Sequence, residues 1–274
     1  MLSDQDRQEA AALLVRAETD RRPIRPLAEI FPAMDVVDAY EIALRNIRHR
    51  IAGGATVVGH KVGLSSEAMQ QMMGVDEPDY GHLLSDMAVS SDRPVEVNRY
   101  CYPRVEVEVG FILGRGLPGE SCTEADVIEA TEAVAPAIEL IDSRVVDWQI
   151  ALVDTIADNA SSAGFVLGPE RVDPRDIDLL TIDATLTRNG ERVAEGRSDA
   201  VLGNPVTAVA WLARKVAGFG VRLEEGHVIL PGSCTRAIDA RPGDEFVAEF
   251  NGLGTVNLSF TGSSTGSSTE GENT

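Results

Sequence analysis

The most constraining feature of this 274-residue chain is a short stretch of strict apolar–polar alternation at 104–111. Every second side chain from Val105 to Phe111 is apolar, and Glu106 and Glu108 lie at positions between them. Because successive side chains of a β-strand point to opposite faces, this spacing predicts a strand with one apolar face. The two carboxylates then share the other face, with Cα atoms about 6.6 Å apart.

Two carboxylates on one strand face suit either of two environments. A solvated acidic face on an edge strand is the commoner one, and a hard cation bound through carboxylate oxygens is the alternative. A third acidic residue favours the cation, because Glu139 interrupts the apolar run 137–141 and is costly to bury unless it is paired or bound to metal. We therefore predict that Glu106, Glu108 and Glu139 hold Mg²⁺ or Mn²⁺. No histidine is spaced in the sequence to join them, which disfavours zinc.

The N-terminal segment predicts two helices. Ser3 and Asp6 resemble a capping box, followed by apolar residues at helical spacing. A second helix is predicted to begin at Asp35 and to end at Gly53-Gly54. These helices predict a small helical lobe over 1–54.

From residue 55 onwards short β-branched runs dominate, and Asn189-Gly190 predicts a two-residue hairpin. Helices are predicted at about 124–133 and 205–217. Since few strands alternate strictly with helices, we predict an α+β fold, with a mixed β-roll or sandwich core and peripheral helices over 55–261. The Gly/Ser/Thr-rich segment 262–274 predicts a disordered tail.

Charge and cysteine content limit the partners and the setting. The formal net charge of −20 argues against nucleic acid or an anionic membrane as a partner. The three cysteines form no CxxC or Cys/His cluster, so we expect no zinc site and a reducing, cytoplasmic setting. The acidic N-terminus lacks a signal-peptide pattern, and no apolar run approaches the roughly 20 residues of a membrane span.

Two further residues are candidates for proton transfer. Lys61 lies between glycines in an apolar run, where it could bind a carboxylate or, if burial lowers its pKa, shuttle a proton. A lysine at a strand end with a solvated ammonium is the alternative. Asp79 lies in the segment 78–83, which we interpret as a turn, so that it is either an acid/base group or a residue making local hydrogen bonds.

Candidate substrate contacts come from a segment of small hydrogen-bonding residues, 158–164, interpreted as a loop. Its hydroxyls and backbone N–H groups could bind a carboxylate, which makes Asn159 and Ser161 candidates, and a plain connecting loop is the alternative. His82 is a third candidate because an imidazole near a site can titrate near neutral pH. A structural histidine would look the same in the sequence.

Taken in order, several motifs resemble those of the 2-keto-4-pentenoate hydratase family, within the fumarylacetoacetate hydrolase superfamily. The resemblance extends over about residues 5–260, and the ordered combination is more specific than any single motif. The resembling segments are GHKVGLSS (59–66), MGVDEPDYG (73–81), EVE (106–108), IELIDSR (138–144), DW (147–148), DTIADNASS (154–162) and GNP (203–205).

The resemblance implies a mixed β-roll fold, a Mg²⁺ or Mn²⁺ cofactor, a small 2-oxoacid substrate and a homo-oligomer. Carried over by position, it implies that the three glutamates named above are metal ligands. It also implies that Lys61 and Asp79 belong to the active site and that Ser161 lies in the substrate-binding loop.

The activity implied by the resemblance is that of a hydro-lyase. Water would add to 2-hydroxypenta-2,4-dienoate to give 4-hydroxy-2-oxopentanoate, in the meta-cleavage degradation of aromatic or steroid compounds. Sister 2-oxo-3-hexenedioate (4-oxalocrotonate) decarboxylases have the same metal ligands, but segment 228–236 is more similar to hydratases, which favours hydration. An acylpyruvate hydrolase, or a non-catalytic partner subunit of a decarboxylase or a downstream aldolase, are further alternatives. The intact Lys61 and Asp79 count against the last of these.

Overall fold

The computed structural model of the protein describes residues 1–262, so the predicted disordered tail lies outside the described residues except for Gly262. Within residues 1–262 the α-helices are α1 (Asp4–Asp20), α2 (Leu27–Ile30), α3 (Val36–Ala52), α4 (Glu67–Met73), α5 (Glu124–Ala130), α6 (Leu152–Ala157) and α7 (Pro205–Ala217). The β-strands of the same residues are β1 (Val57–Gly63), β2 (Asp79–Leu84), β3 (Val95–Glu96), β4 (Arg104–Leu113), β5 (Thr131–Ile141), β6 (Ser162–Leu167), β7 (Asp183–Arg188), β8 (Glu191–Arg197), β9 (Val228–Leu230), β10 (Ile238–Asp239), β11 (Glu245–Phe250) and β12 (Gly254–Thr261).

The strands form two mixed sheets. The first has the order β2-β1-β9-β4-β5-β6, with β10 also paired to β4, and the second has the order β3-β12-β11-β7-β8. Each sheet contains one parallel pair, β1 with β9 and β12 with β3, among antiparallel pairs. The predicted α+β class, with a mixed β core, peripheral helices and a helical N-terminal part, is confirmed.

The alternation in β4 divides its two faces between core and site. Val107 and Phe111 are fully buried on one face, in the same core cluster as Phe246 and Phe260 of the second sheet. On the other face, the antiparallel pairing of β4 with β5 sets Glu106 directly opposite Glu139. Burial of the apolar face therefore fixes the direction in which the carboxylates point.

Local sequence signals at the helix ends and hairpin are confirmed. Capping boxes at Ser3 and Asp35 begin α1 and α3. The side chain of Asn204 accepts a hydrogen bond at the start of α7, which spans the predicted residues. Asn189 and Gly190, both with positive φ, connect β7 and β8 as the predicted hairpin.

Three predicted boundaries are wrong. The helix predicted over 124–133 ends at Ala130, and β5 begins at once with Thr131. Residues 79–83 of the segment predicted as a turn belong to β2, all six residues of which are buried. The predicted loop 158–164 ends earlier, because β6 begins at Ser162. A strand buried on both faces has no apolar–polar alternation, so β2 lacks the pattern that identified β4.

The N-terminal helices reach the site indirectly. Helix α1 packs on α3, and α3 packs on α6, which leads into the turn at 159–161. In the part of the chain that the structure describes, no helix combines the length and apolar character needed to cross a membrane.

A histidine cluster lies on the face of β1 and β2 opposite to Lys61. The ring centroid of His60 is 4.8 Å from that of His82 and 5.8 Å from that of His227. His60 is fully buried, and neither of its ring nitrogens has a hydrogen-bond partner among residues 1–262. Burial, together with the neighbouring imidazoles, lowers the pKa of His60 well below its usual value, and burial lowers that of His82 to about 4.

We predict that His60 makes the protein labile to acid. Because the pKa of His60 is lowered in the folded state, the unfolded chain takes up a proton below about pH 6.5 that the folded chain does not. The free energy of unfolding therefore decreases as the pH is lowered below about 6.5. The variant His60→Phe should gain stability over the wild type as the pH falls from 8 to 5, by up to about 1.4 kcal/mol per pH unit. Urea unfolding at both pH values measures this gain, and an equal difference at pH 5 and pH 8 would contradict it.

Candidate active site

Three glutamates converge between β4 and β5. Glu106, Glu108 and Glu139 each offer a carboxylate oxygen, and these oxygens lie within 4.8 Å of one another. Glu108 and Glu139 are fully buried, whereas Glu106 is partly exposed. The cluster is therefore open to solvent on the Glu106 side and enclosed by protein on the other.

Only part of this oxygen set is satisfied by the protein. Glu108 Oε2 accepts a hydrogen bond from the Gly232 backbone N–H (2.7 Å), and Glu139 Oε1 accepts one from the Ser162 hydroxyl (2.8 Å). The buried atoms Glu108 Oε1 and Glu139 Oε2 have no hydrogen-bond partner among the described residues. A cluster of carboxylates with buried oxygens that accept no hydrogen bond fits a hard divalent cation such as Mg²⁺ or Mn²⁺.

The pKa values of the glutamates show that, in the metal-free protein, the cluster disfavours the ionised carboxylates. Burial raises the pKa of Glu106 to about 7, although the nearby Lys61 ammonium opposes the rise. Burial and the charges of Glu139 and Glu106 raise the pKa of Glu108 well above its usual value. A divalent cation would reverse these shifts because it favours the ionised carboxylates.

Lys61 lies beside this cluster. Its ammonium is 3.3 Å from Glu139 Oε2 and donates a hydrogen bond to the Ala160 carbonyl (3.0 Å). Burial alone would lower the pKa of Lys61, but the carboxylates of Glu139 and Glu106 outweigh it and raise the pKa. The sequence-based idea of a lowered Lys61 pKa is therefore wrong, and the side chain remains a buried cation.

Asp79 faces the same space from β2. The register pairs Asp79 with Gly63 and Gly81 with Lys61, which puts the side chains of Asp79 and Lys61 on one face. A Cβ atom on Gly63 would lie 2.1 Å from Asp79 Oδ1, so only glycine leaves room for the carboxyl group. Burial raises the pKa of Asp79 to about 6, against the opposing charge of Lys61. This carboxyl group can hold or release a proton near neutral pH.

The turn after α6 carries the two predicted loop contacts. Ser161 Oγ lies 3.3 Å from Thr155 Oγ1 and is buried. The side chain of Asn159 pairs with the backbone of His82, accepting from its N–H (2.7 Å) and donating to its carbonyl (2.9 Å). Asn159 thus binds the turn to β2, while Ser161 directly follows Ala160, whose carbonyl binds Lys61.

The His82 side chain points away from the face of β2 that carries Asp79. It pairs with His60 in the register, so its imidazole lies on the face opposite to Lys61, near the ring of Tyr80. Because the sequence of segment 78–83 indicates a turn, it offers no alternation from which to assign His82 to a face, and the role of His82 as a substrate contact stays a prediction.

Sequence reasoning also missed groups that shape the site. The Ser162 hydroxyl, the Gly232 N–H and the Ala160 carbonyl all bind the residues discussed above. Ser162 belongs to the recognised DNASS segment, but nothing in that pattern distinguishes its role from that of Ser161. Backbone groups leave no signal in a sequence.

Comparisons with known proteins point to one family. Residues 55–261 match the family model described as fumarylacetoacetate (FAA) hydrolase C-terminal. The 2-keto-4-pentenoate hydratase of Paraburkholderia xenovorans (strain LB400) is 43% identical over 259 residues, which cover 94% of this chain and 96% of that protein. The 2-oxo-hept-4-ene-1,7-dioate hydratase of Escherichia coli is 41% identical over 256 residues, which cover 91% and 96% of the two chains.

A solved structure agrees with this result. The 4-oxalocrotonate decarboxylase from Pseudomonas putida G7, complexed with magnesium and adipate, superposes with a TM-score of 0.90 at 33% sequence identity. The match covers 95% of this chain and 99% of that one.

We predict that the glutamate cluster destabilises the metal-free protein. Since the pKa of Glu108 is raised in the folded state, its contribution to stability is lost as the pH rises above the usual glutamate value. Glu108→Gln should therefore stabilise the metal-free protein at pH 8 by on the order of 1 kcal/mol, and by less at pH 5. The same variant should lose the stabilisation that Mn²⁺ gives the wild type.

Urea unfolding in EDTA and in Mn²⁺ tests both parts. The control is Glu132→Gln, an exposed carboxylate on the same strand as Glu139. It should respond to Mn²⁺ as the wild type does. Retained Mn²⁺ stabilisation in Glu108→Gln would show that the cluster is not the cation site.

Proposed function

Because the chain belongs to the fumarylacetoacetate hydrolase family, we propose that it is a divalent-metal-dependent hydratase acting on 2-hydroxypenta-2,4-dienoate (2-oxopent-4-enoate). The product would be 4-hydroxy-2-oxopentanoate. One observation carries the proposal: the three glutamates, Lys61 and Asp79 form a single cluster in a chain 43% identical to a 2-keto-4-pentenoate hydratase over 94% of its length.

The proposed cofactor is Mg²⁺ or Mn²⁺, with Glu106, Glu108 and Glu139 as its protein ligands. Bound there, the cation would supply Lewis-acid polarisation of the substrate 2-oxygen. Because Glu106 is partly exposed, a small anionic substrate can approach the cation from the Glu106 side of the cluster.

Charge at the site suits an anionic substrate in spite of the acidic chain. Lys61 keeps a positive charge inside the site, because the carboxylates around it raise its pKa. We assign to it the orientation of the substrate carboxylate or enol oxygen. The Ser161 hydroxyl is the second proposed contact to the substrate. Among the described residues its side chain forms a hydrogen bond with Thr155 alone, so it has capacity for another partner.

Asp79 is the proposed carrier of protons. Hydration requires that the C2 hydroxyl proton leaves and that C5 gains a proton, which gives a conjugated 2-oxo-3-enoate. Water then adds its oxygen at C4, and C3 takes up the remaining proton. A carboxyl group with a pKa of about 6, next to a fixed ammonium, can accept and return protons in these steps.

Decarboxylation of 2-oxo-3-hexenedioate is the second candidate function. It is favoured by the TM-score of 0.90 with the 4-oxalocrotonate decarboxylase, which holds magnesium in its structure. Sequence identity favours hydration, at 43% with the hydratase against 33% with the decarboxylase.

We further propose that the protein works in the cytoplasm as a homo-oligomer within meta-cleavage catabolism. Its product is a β-hydroxy ketone, which an aldolase can cleave. Such an aldolase, or a sister decarboxylase, is the proposed functional partner.

Product analysis separates the two candidate reactions. Purified protein with Mg²⁺ or Mn²⁺ is mixed with freshly generated 2-hydroxypenta-2,4-dienoate, and the dienol absorbance and the product are followed. We expect loss of the dienol with formation of 4-hydroxy-2-oxopentanoate and no CO₂. Release of CO₂ from 2-oxo-3-hexenedioate, with an inert dienol, would assign the protein to the decarboxylases instead.

Variants of the site should separate metal binding from proton transfer. Glu106→Gln should abolish metal-dependent turnover while the fold remains intact. Lys61→Met and Asp79→Asn should lower kcat by about 10²–10⁴-fold because they remove groups that act on protons or charge, yet still bind Mn²⁺. Steady-state kinetics, circular dichroism and Mn²⁺ titration measure these effects. Full activity in Glu106→Gln, or loss of Mn²⁺ binding in Asp79→Asn, would contradict the assignment.

A further inference from the structure

A buried arginine, Arg144, binds the residue that precedes the turn at 159–161. Arg144 is only 6% exposed and lies between the carboxylates of Asp142 and Asp158, which are also buried. Its Nε donates to Asp158 Oδ1, its Nη2 donates to the Asp158 carbonyl (2.7 Å), and its backbone N–H donates to Asp158 Oδ2 (3.0 Å). Three donors of one residue thus hold a single aspartate by both its side chain and its backbone.

The chain leaves Asp158 in an unusual conformation. Asn159, Ala160 and Ser161 follow with φ values of 57°, 51° and 56°, three successive residues in the left-handed region. Asparagine tolerates this region, but alanine and serine are disfavoured there because Cβ crowds the following carbonyl. A turn of this kind persists only where its surroundings hold it.

Contacts at both ends of this turn supply that restraint. Arg144 holds Asp158 at the start, and the side chain of Asn159 is fastened to the backbone of His82. At its end, the Ser161 carbonyl accepts a hydrogen bond from the Asp142 N–H (2.9 Å). Asp142 is also the second carboxylate beside Arg144, with Oδ2 3.9 Å from Nη1.

The conformation of the turn determines what surrounds Lys61. The Ala160 carbonyl accepts the hydrogen bond from the Lys61 ammonium. Two residues further on, the Ser162 hydroxyl donates to Glu139. Were residue 160 to relax to an ordinary conformation, its carbonyl would turn away from Nζ. The ammonium would then be drawn only towards the carboxylates.

We infer that Arg144 is a positioning residue for the proposed hydration, acting through the left-handed turn at 159–161 to set the position of the Lys61 ammonium. The inference rests on the proposed function for its kinetic consequence. Arg144 touches neither Lys61 nor the three glutamates in the described hydrogen bonds and ion pairs, so its effect has to pass through the turn.

The opposing interpretation is that Arg144 stabilises the fold and does nothing more. The chain offers a matched case in Arg7, which binds the fully buried Asp38 through Nε (2.8 Å) and Nη2 (2.7 Å) between α1 and α3. Arg7→Lys is therefore the control for loss of a buried arginine–aspartate pair away from the turn. It should lower the melting temperature without changing kcat.

The test is a double-mutant cycle between Arg144→Lys and Lys61→Met. Lysine keeps the charge next to Asp158 but lacks the planar guanidinium whose Nε and Nη2 bind the Asp158 carboxylate and carbonyl in a fixed geometry. In the wild-type background we expect Arg144→Lys to lower kcat by about 10²-fold, the cost of a misplacement of about 1 Å, with Mn²⁺ affinity little changed. In the Lys61→Met background the same substitution should cause no further loss, because the group it positions is absent.

A second variant covers the case in which Arg144→Lys does not fold. Arg144→Gln combined with Asp158→Asn removes both charges of this pair, so that Asp158 is not left as an unpaired buried charge, while Asp142 keeps its hydrogen bonds from the backbone N–H groups of Cys101 and Tyr102. The same cycle is then run with this pair. An unchanged kcat, an equal loss in both backgrounds, or a loss that appears as weaker Mn²⁺ binding would overturn the inference.

A crystal structure of the Arg144 variant gives a readout that is independent of activity. The expected result is a turn at 159–161 that has left the left-handed region and a Lys61 Nζ no longer bonded to the Ala160 carbonyl. An unchanged turn and an unchanged Nζ would overturn the inference. If the wild type hydrates no dienol, the proposed function fails on its own, and this structure alone decides the role of Arg144.

Discussion

Mutual repulsion among closely spaced carboxylates is the constraint around which the site is built. Oxygens of Glu106, Glu108 and Glu139 lie within 4.8 Å of one another, and Asp79 adds a fourth carboxyl group nearby. Lys61 is the cation that the described residues place among them, and one ammonium does not balance four carboxylates. A divalent cation would satisfy the oxygens that have no hydrogen-bond partner among the described residues.

The fold holds this unfavourable arrangement because other interactions fix each member in place. The apolar face of β4 is anchored in the core, and the register with β5 brings Glu139 opposite Glu106. Glycine at position 63 makes room for Asp79, and the left-handed turn presents a carbonyl to Lys61. Stability given up at the site is thus compensated by burial elsewhere, as is common at functional sites.

The sequence predicts the parts of the site that follow from local pattern. Alternation at 104–111 identified β4 and its carboxylate face, and the isolated glutamate in an apolar run identified Glu139. Lys61 and Asp79 could be joined to them only through the family resemblance, because strand pairing between β1 and β2 is not encoded in either segment alone. The side of β2 on which His82 lies, and the direction of the Lys61 pKa shift, depend on neighbours distant in the chain. Local patterns carry no information on such neighbours.

The most direct test of the central claim is anomalous diffraction from crystals of the protein soaked in Mn²⁺. We expect one strong anomalous peak per chain between the carboxylates of Glu106, Glu108 and Glu139, and its loss in crystals of Glu108→Gln. A peak at another place, or none in the wild type at saturating Mn²⁺, would contradict the claim that these three glutamates form the metal centre.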